Sequence, residues 1–154
     1  MKKINIDEKY MRSALKEAEK AFEKNEVPIG CVIVKDGKII ARAHNTMEKD
    51  KSTFSHAEIK AIKKAQKREG DWRLNNCTLY STVEPCLMCI SASMLARVKR
   101  VVFGCREKNC GGCVSLIDIQ KLNGLNHNIL VEGGILEKES SEMMREFFIR
   151  ARKK

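Results

Sequence analysis

The segments His56-Ala57-Glu58 and Pro85-Cys86-Leu87-Met88-Cys89 decide how this chain is interpreted. Imidazole and thiolate groups are ligands that zinc prefers, so His56, Cys86 and Cys89 form a candidate Cys₂His zinc site. Three protein ligands leave the fourth tetrahedral position to water, which is the pattern of a catalytic zinc rather than a structural one. Glu58 lies two residues beyond the histidine. We do not expect it to be a ligand, and it is therefore free to move protons.

The two cysteines follow Pro85, a residue well suited to the first turn of a helix. On one helical face, Cys86 and Cys89 have Cβ atoms about 5–6 Å apart, so both sulfurs can reach one metal ion. The helix N-terminus also favours the thiolate form. Alone, a Cys-x-x-Cys pair could equally be a redox pair, and Glu58 could simply interact with the helix dipole. Together, the two segments match the signature of zinc nucleobase deaminases.

The length of 154 residues predicts one domain, residues 1–154. No apolar run approaches the roughly 18 residues of a membrane span, and no apolar segment follows the basic N-terminus, so we expect a cytoplasmic protein without membrane contact. The seven cysteines are accordingly expected to be thiols or metal ligands. A formal net charge of +10 favours a polyanionic partner such as nucleic acid, although a lysine-rich solvated surface explains it as well.

Hydrophobic periodicity and turn signals predict alternating helices and strands. Asp36-Gly37 is a strong hairpin signal. The predicted helices are 7–24, 56–68, 85–97, 115–122 and 136–152. The predicted strands are 29–34, 38–44, 77–83, 100–104 and 129–132, with loops at 45–55 and 105–114. This order predicts an α/β fold, a three-layer α-β-α sandwich with helices on both faces of a mixed five-stranded sheet.

Beyond the two segments, the chain resembles the bacterial tRNA-specific adenosine deaminases, a branch of the cytidine-deaminase superfamily, over nearly its whole length. The first two segments mark the superfamily. Arg100-Val101-Val102-Phe103-Gly104 and Phe147-Phe148, the latter on a basic C-terminal helix, point to the tRNA branch. The other family-like stretches are Val27-Pro28-Ile29-Gly30, Asn45 and Leu125-Asn126-His127. The resemblance implies a cytidine-deaminase-like fold.

The resemblance also implies an activity, the hydrolytic deamination of adenosine to inosine at the wobble position of an arginine tRNA anticodon. It implies one Zn²⁺ per subunit, a zinc-activated hydroxide that attacks C6 of the base, and Glu58 as proton shuttle. A homodimer in which both chains contact the tRNA anticodon stem-loop is expected as well. Two alternatives remain open: a deaminase of small substrates such as guanine, cytosine or a nucleotide, and an RNA-binding module with an inert zinc.

Substrate contacts can be carried over position by position from this resemblance. Asn45 matches the residue that hydrogen-bonds the target base, although an ordinary turn asparagine would explain it too. The apolar wall of the base site is assigned to Val27, Pro28 and Val83, which could equally be core residues, and Ala57 is placed at the same site. The expected RNA contacts supply an aromatic ring for stacking and cations for phosphates: Arg106, Phe148, Arg150, Arg152 and Lys153.

The predicted loop at 105–114 departs from the family pattern. Glu107 replaces the aspartate that usually contacts the substrate backbone, which leaves the choice of RNA over DNA open. Cys110-Gly111-Gly112-Cys113 is a second Cys-x-x-Cys pair. We expect unligated thiols there, with two alternatives: a second zinc shared with Cys105, or a redox pair.

Two histidines and the Phe-Phe pair need separate interpretation. Phe147 and Phe148 point about 100° apart, so we expect one in the core and Phe148 toward RNA. His127 is expected to be a hydrogen-bonded structural residue. His44 adjoins Asn45 and either flanks the anticodon loop or lies at a solvated strand end.

Overall fold

The computed structural model describes residues 5–154 and has a five-stranded sheet at its centre. The helices are α1 (Ile6–Glu23), α2 (Met47–Asp50), α3 (Ala57–Glu69), α4 (Leu87–Leu95) and α5 (Glu137–Arg152). The strands are β1 (Gly30–Lys35), β2 (Lys38–His44), β3 (Cys77–Val83), β4 (Arg100–Cys105) and β5 (Leu130–Glu132). A 3₁₀ turn, Ile119–Lys121, precedes β5. Within residues 5–154, no helix is long and apolar enough to span a membrane.

The sheet has the order β2-β1-β3-β4-β5 and combines both pairing modes. Strand β1 pairs antiparallel with β2 and β3, whereas β3, β4 and β5 run parallel. The β1–β2 hairpin turns at Asp36 and Gly37, whose φ angles of 50° and 73° are both positive, as a type I′ turn requires. The predicted hairpin and the predicted mixed sheet are therefore confirmed.

Alternating side chains on the central strands form two hydrophobic layers, one on each face of the sheet. On one face, Met11 of α1 packs in a cluster with Val32 and Tyr80. Helix α5 lies on this same face, because Leu136 at its start packs against that cluster. The opposite face is covered by α3 and α4, and its cluster includes Ile33, Ala61, Leu79, Ile90 and Val101. The predicted three-layer α-β-α sandwich is confirmed.

The helix predicted at 115–122 is wrong, since only the 3₁₀ turn Ile119–Lys121 forms there. The cause lies in the preceding backbone, where the N–H groups of Cys113, Val114 and Ser115 donate to one carboxylate oxygen of Glu84 at 3.1, 2.9 and 3.0 Å. These three N–H groups donate to a distant side chain rather than to carbonyls of their own segment, so the backbone at 113–115 is positioned by Glu84. The conformation of this segment therefore depends on its contact with the Glu84 carboxylate rather than on its own helix propensity.

Helix α4 and the loop at 45–55 also differ from the prediction. Helix α4 begins at Leu87 rather than Pro85, because Cys86 has extended backbone angles and is the N-cap residue. The loop predicted at 45–55 contains the single turn α2. That turn is stabilised by Glu26, whose buried carboxylate accepts the N–H groups of Glu48 and Lys49 at 2.8 and 3.2 Å.

An ion pair attaches the start of α1 to the sheet. Arg100 of β4 donates two hydrogen bonds to the Asp7 carboxylate, at 2.8 and 2.7 Å, and the Tyr80 hydroxyl donates a third at 2.7 Å. Arg100 also pairs with Glu132 of β5. The hydrogen bond from Arg100 lowers the pKa of Asp7, and this effect exceeds the opposing effect of burial. The arginine of the family-like segment is thus part of the fold.

We expect Asp7→Asn to lower the free energy of unfolding by about 1–3 kcal/mol at pH 7, because the amide cannot accept the bidentate pair from Arg100. The pKa of Asp7 is lower in the folded than in the unfolded chain, so its contribution is present above about pH 4 and is lost as pH falls through the folded pKa. Urea unfolding at pH 7 and pH 3 measures this. A difference in free energy of unfolding between wild type and Asp7→Asn that is as large at pH 3 as at pH 7 would contradict this prediction. Asp71→Asn, in an exposed pair with Arg73, is the matched control.

Candidate active site

Three potential metal ligands converge where helices α3 and α4 begin. His56 is the N-cap residue of α3 and Cys86 is the N-cap residue of α4, and neither side chain caps its own helix. His56 Nδ1 lies 3.6 Å from Cys86 Sγ and 3.5 Å from Cys89 Sγ. The ligand atoms all lie within 4.8 Å of one another, and they form the one such group among residues 5–154. The sequence-predicted ligand set is therefore brought together by the fold.

The electrostatics of this cluster suit a soft cation. The Cys86 thiolate is stabilised most by the Cys89 thiol and, to a smaller extent, by the His56 ring. The pKa of Cys86 therefore falls to about 4, although burial opposes the shift. Interaction with Cys86 in turn raises the pKa of His56. Two sulfur atoms and one imidazole nitrogen at the ends of two helices are a donor set that zinc prefers. The residues present therefore fit a zinc ion with an open fourth position.

Glu58 is buried beside the cluster, with 3% of its surface exposed. One carboxylate oxygen lies 2.9 Å from the Ser81 hydroxyl of β3, and the other accepts from Cys89 Sγ at 3.4 Å. Burial raises the pKa of Glu58 above its ordinary value. Sequence reasoning missed Ser81. A usable signal was a serine on the same face of a buried strand as the apolar residues Cys77 and Leu79.

Asn45 lies at the end of β2, and its amide links two neighbouring segments. Its Nδ2 donates to the Val27 carbonyl at 3.2 Å, and its Oδ1 accepts the Met47 N–H at 3.1 Å. The side chain is buried, with 4% exposed. An amide nitrogen can donate twice, so Asn45 retains capacity for a ligand in addition to this structural role.

The apolar positions assigned to the base site lie at this same end of the sheet. Val27 is half-buried, whereas Pro28, Ala57 and Val83 are buried. Residues 27 and 28 lead into β1, and Val83 ends the adjacent strand β3. Ala57 lies directly between His56 and Glu58 and belongs to the core cluster. The fold places these positions at one end of the sheet, and their contact with a base stays a prediction.

Glu84 is a second buried residue that sequence reasoning overlooked in this region. It lies directly before Pro85, and its carboxylate binds the loop 106–115, as described for Cys113, Val114 and Ser115. Glu107 donates its backbone N–H to the same carboxylate at 3.2 Å. The Glu107 side chain meanwhile accepts the Asn109 N–H at 2.9 Å, and Arg106 is exposed. Glu107 is therefore integrated in the loop through its backbone and its side chain.

The second Cys-x-x-Cys pair does not form a metal group within residues 5–154. Cys113 is fully buried in the core, while Cys110 is exposed, and all seven cysteines are free thiols. Burial raises the pKa of Cys113 well above its ordinary value, and it raises that of Cys105 to about 11. The thiolate, rather than the neutral thiol, is the form that binds metals and reacts. These buried surroundings therefore agree with the expected unligated thiols.

The two remaining histidines have structural partners. The expectation for His127 is confirmed, because its Nε2 lies 2.8 Å from the Val98 carbonyl oxygen. Of the two interpretations of His44, the solvated strand end is wrong, whereas a position beside the anticodon loop stays a prediction. Its Nδ1 lies 3.2 Å from a Glu17 carboxylate oxygen beneath α1, and its side chain is only 16% exposed. Burial lowers the pKa of His44 in spite of this neighbouring carboxylate.

Some residues of helix α5 pack against α1, whereas others are exposed and free for the predicted RNA contacts. Phe147 is buried and packs against Phe22 of α1 with ring centroids 6.1 Å apart, whereas Phe148 is 46% exposed, as expected for the pair. Arg150 donates to the Phe22 carbonyl at 2.8 Å, and its guanidinium lies 4.1 Å from the Phe22 ring centroid. Its side chain therefore joins α5 to the end of α1. Arg152 and Lys153 are exposed.

A mixed-sheet α/β sandwich that holds a His-Cys-Cys cluster beside a buried glutamate has the architecture and signature of the zinc-dependent deaminases. Residues 4–105 match the family described as the cytidine and deoxycytidylate deaminase zinc-binding region. The chain belongs to this deaminase family.

Relatives of known name are similar to the chain over most of its length. A tRNA-specific adenosine deaminase of Bacillus subtilis (strain 168) is 47% identical over 148 residues, which cover 96% of this chain and 92% of that protein. A solved structure from a study of A-to-I editing by tRNA:A34 deaminases at the wobble position of transfer RNA has a TM-score of 0.84 at 38% identity. The match covers 88% of this chain and 98% of that chain. A guanine deaminase structure from Bacillus subtilis is also 38% identical, but with a TM-score of 0.61 over 64% of each chain.

We expect Arg150→Ala to lower the free energy of unfolding by about 1 kcal/mol, because a charge-assisted hydrogen bond and a cation–π contact to Phe22 are lost. Arg152→Ala is the matched control, since its guanidinium lies 3.3 Å from the Phe148 carbonyl of its own helix and contributes little between helices. Urea unfolding of both variants measures the difference. Equal stability of the two variants would show that Arg150 does not hold α5 against α1.

Proposed function

We propose that the protein converts adenosine to inosine at the wobble position of a tRNA anticodon, with an arginine tRNA as substrate and one zinc ion per subunit. The observation that carries this proposal is the convergence of three ligand atoms beside the buried carboxylate of Glu58. Similarity to tRNA-specific adenosine deaminases over nearly the full chain supports the substrate. A net charge of +10 suits a polyanionic RNA, and tRNA as substrate supports a cytoplasmic location.

The proposed mechanism assigns the proton transfers to Glu58. His56, Cys86 and Cys89 would hold the zinc ion, which when bound activates water for hydrolysis. Glu58 accepts a proton from the attacking water and passes it to the ring nitrogen beside C6. It then carries a proton to the amino group, which leaves as ammonia. The Ser81 hydroxyl, 2.9 Å from the carboxylate, supports this role because it restricts the orientation of Glu58.

We place the target base between Asn45 and the apolar positions at the end of the sheet. The hydrogen bond from Asn45 to the Val27 carbonyl supports this arrangement, because it holds the amide next to one side of the proposed apolar wall. Pro28, Ala57 and Val83 form the rest of that wall in the proposal. Their buried positions give them little freedom to move, which suits a rigid pocket for a flat base.

Exposed residues provide the proposed contacts with the anticodon stem-loop. Phe148 offers an exposed ring for base stacking, and Arg106, Arg152 and Lys153 offer cations for phosphates. We assign Glu107 to the same surface through its position in the loop 106–115. Arg150 contributes charge there only in addition to its contact with Phe22.

The proposed assembly is a homodimer. Helix α4 exposes Leu87 and Leu95, at 40% and 66%, on the same side of the helix, and Leu116 is 53% exposed. Exposed leucines on the helix that carries two of the zinc ligands support an interface near the active site. Both active sites of a dimer would then lie close to the subunit boundary.

A guanine deaminase is the second candidate function. The 38% identity to the guanine deaminase of Bacillus subtilis favours it, although that similarity covers only 64% of each chain. A small-substrate enzyme does not need an exposed phenylalanine on a basic C-terminal helix. The two candidates are therefore separated by substrate rather than by the zinc site.

The zinc-loaded protein should form inosine in a transcribed arginine tRNA with the anticodon ACG, at the wobble position alone. The matched control RNA has the anticodon GCG, and a DNA hairpin of the same sequence tests whether Glu107 permits deoxyribose. Sequencing of the product locates inosine, and an ammonia assay follows guanine and cytosine. Ammonia from guanine without inosine in the tRNA would replace the proposed function with the second candidate. Binding of the tRNA should weaken steeply with salt.

Glu58→Gln should reduce inosine formation by about 10²–10⁴-fold while one zinc ion per chain is retained, because the amide cannot move protons. Cys86→Ala should instead lose the zinc ion and destabilise the protein, since a metal that binds only the folded chain contributes to its stability. Elemental analysis and thermal unfolding distinguish the two variants. Full activity of Glu58→Gln would remove Glu58 from the mechanism, and a full zinc content of Cys86→Ala would contradict the ligand set.

A further inference from the structure

The loop 106–115 is attached to the fold through the carboxylate of Glu84, which is 2% exposed. One oxygen accepts the N–H groups of Cys113, Val114 and Ser115 at 2.9–3.1 Å. The other oxygen accepts the Glu107 N–H at 3.2 Å and the Ser115 hydroxyl. A single side chain therefore organises both ends of the loop.

The glycines at the centre of the loop are explained by the same contact. A Cβ atom on Gly111 would lie 2.4 Å from a Glu84 carboxylate oxygen and 2.4 Å from the Glu107 carbonyl oxygen. A Cβ atom on Gly112 would lie 2.6 Å from Cγ2 of Ile90 in α4. The loop is thus packed between the carboxylate and α4 at distances that a side chain would not permit.

The loop is also bonded directly to the segment that carries the zinc ligand Cys86. The Leu87 N–H donates to the Cys110 carbonyl at 3.1 Å, and the Gly112 N–H donates to the Pro85 carbonyl at 2.9 Å. Cys86 and Gly111 form an isolated antiparallel bridge. The position of the loop relative to the proposed zinc ion is consequently determined by main-chain contacts on one side and by Glu84 on the other.

The charge of Glu84 is compensated although the group is buried. Five hydrogen-bond donors surround the carboxylate, namely the backbone N–H groups of residues 107, 113, 114 and 115 and the Ser115 hydroxyl. An ionised carboxylate accepts from the donors on both sides, whereas a glutamine could direct its oxygen at one group of donors only and its N–H₂ group would face the other. Donors on both oxygens therefore favour a carboxylate over an amide at this position.

We propose that Glu84 is a positioning residue for the deaminase reaction. It holds the loop 106–115 in a preformed shape, so that Arg106 and Glu107 meet the polynucleotide substrate beside the zinc site. This inference rests on the proposed function. Glu84 touches neither substrate nor zinc in this role. It acts through the loop, and the binding of RNA therefore depends on it more than the chemical step does.

Glu84→Gln is the direct test, with two measurements on the zinc-loaded protein. Amide hydrogen exchange, followed by mass spectrometry, should become about tenfold or more faster in residues 107–115, because several amides lose a charged acceptor. The KM for the arginine-tRNA stem-loop should rise about tenfold, while kcat changes by less than about threefold and zinc content stays at one per chain. A purely structural role would instead lower kcat, zinc content or the folded fraction and leave KM unchanged.

Gly111→Ala tests the same contact from the side of the loop. It should reproduce the faster exchange and the higher KM, and the double variant should be no worse than about the larger single effect, because both changes break one contact. Glu69→Gln is the matched control. Glu69 ends α3, away from the ligand His56 at its start, and pairs with Lys35 at 2.9 Å, so neither the exchange of the loop nor KM should change.

The outcomes separate this inference from the proposed function. Unchanged exchange in both Glu84→Gln and Gly111→Ala would overturn the role of Glu84, whatever the activity on RNA. Faster exchange with an unchanged KM would overturn the positioning of substrate contacts. A wild-type protein that edits no RNA would contradict the proposed function and with it the positioning of RNA, and the exchange data would then decide only whether Glu84 holds the loop.

Discussion

Strand β3 is the constraint on which the rest of the structure depends. It lies at the centre of the sheet, with an antiparallel ladder to β1 on one side and a parallel ladder to β4 on the other. Ser81 of this strand contacts Glu58, the next residue after the strand is Glu84, and Cys86 follows two positions later. A register shift of one residue would turn every side chain of β3 to the other face. The two ladders therefore fix the geometry of the proposed catalytic group, the loop and the first proposed cysteine ligand together.

Glu58 and Glu84 show how one residue type takes two roles at similar burial. Both are almost completely buried, at 3% and 2% exposure. Glu84 accepts from five donors, which lower its pKa in spite of burial, and through these contacts it organises a loop. Glu58 contacts one hydroxyl and one thiol, and burial raises its pKa. The number of donors around each carboxylate, rather than its depth, separates the structural glutamate from the one suited to proton transfer.

Local sequence signals predicted most of the fold correctly. The hairpin at Asp36-Gly37 follows from the preference of those residues for positive φ, and helices α1, α3 and α5 follow from the helical spacing of their apolar residues. The candidate site was predictable for a related reason. Zinc restricts its ligands to a few residue types, so the two short segments that contain them stand out in the sequence. Contacts between distant segments were not predictable in this way. The contact of Arg150 with the end of α1 was not foreseen, and His44, for which a solvated strand end was one expectation, lies beneath that helix.

The sequence by itself determined the layer architecture, the ligand types and the glutamate beside them, because each depends on periodicity or on chemistry within a few residues. Only the tertiary structure decided how the segment 113–115 folds, since its amides bind a carboxylate that is about thirty positions earlier in the chain, too far for any local pattern to show. The same holds for the contact of Ser81 with Glu58, which joins a strand to a helix. Burial is the physical reason in both cases. A buried carboxylate must find hydrogen-bond donors, and which donors are within reach depends on the packing of the whole fold.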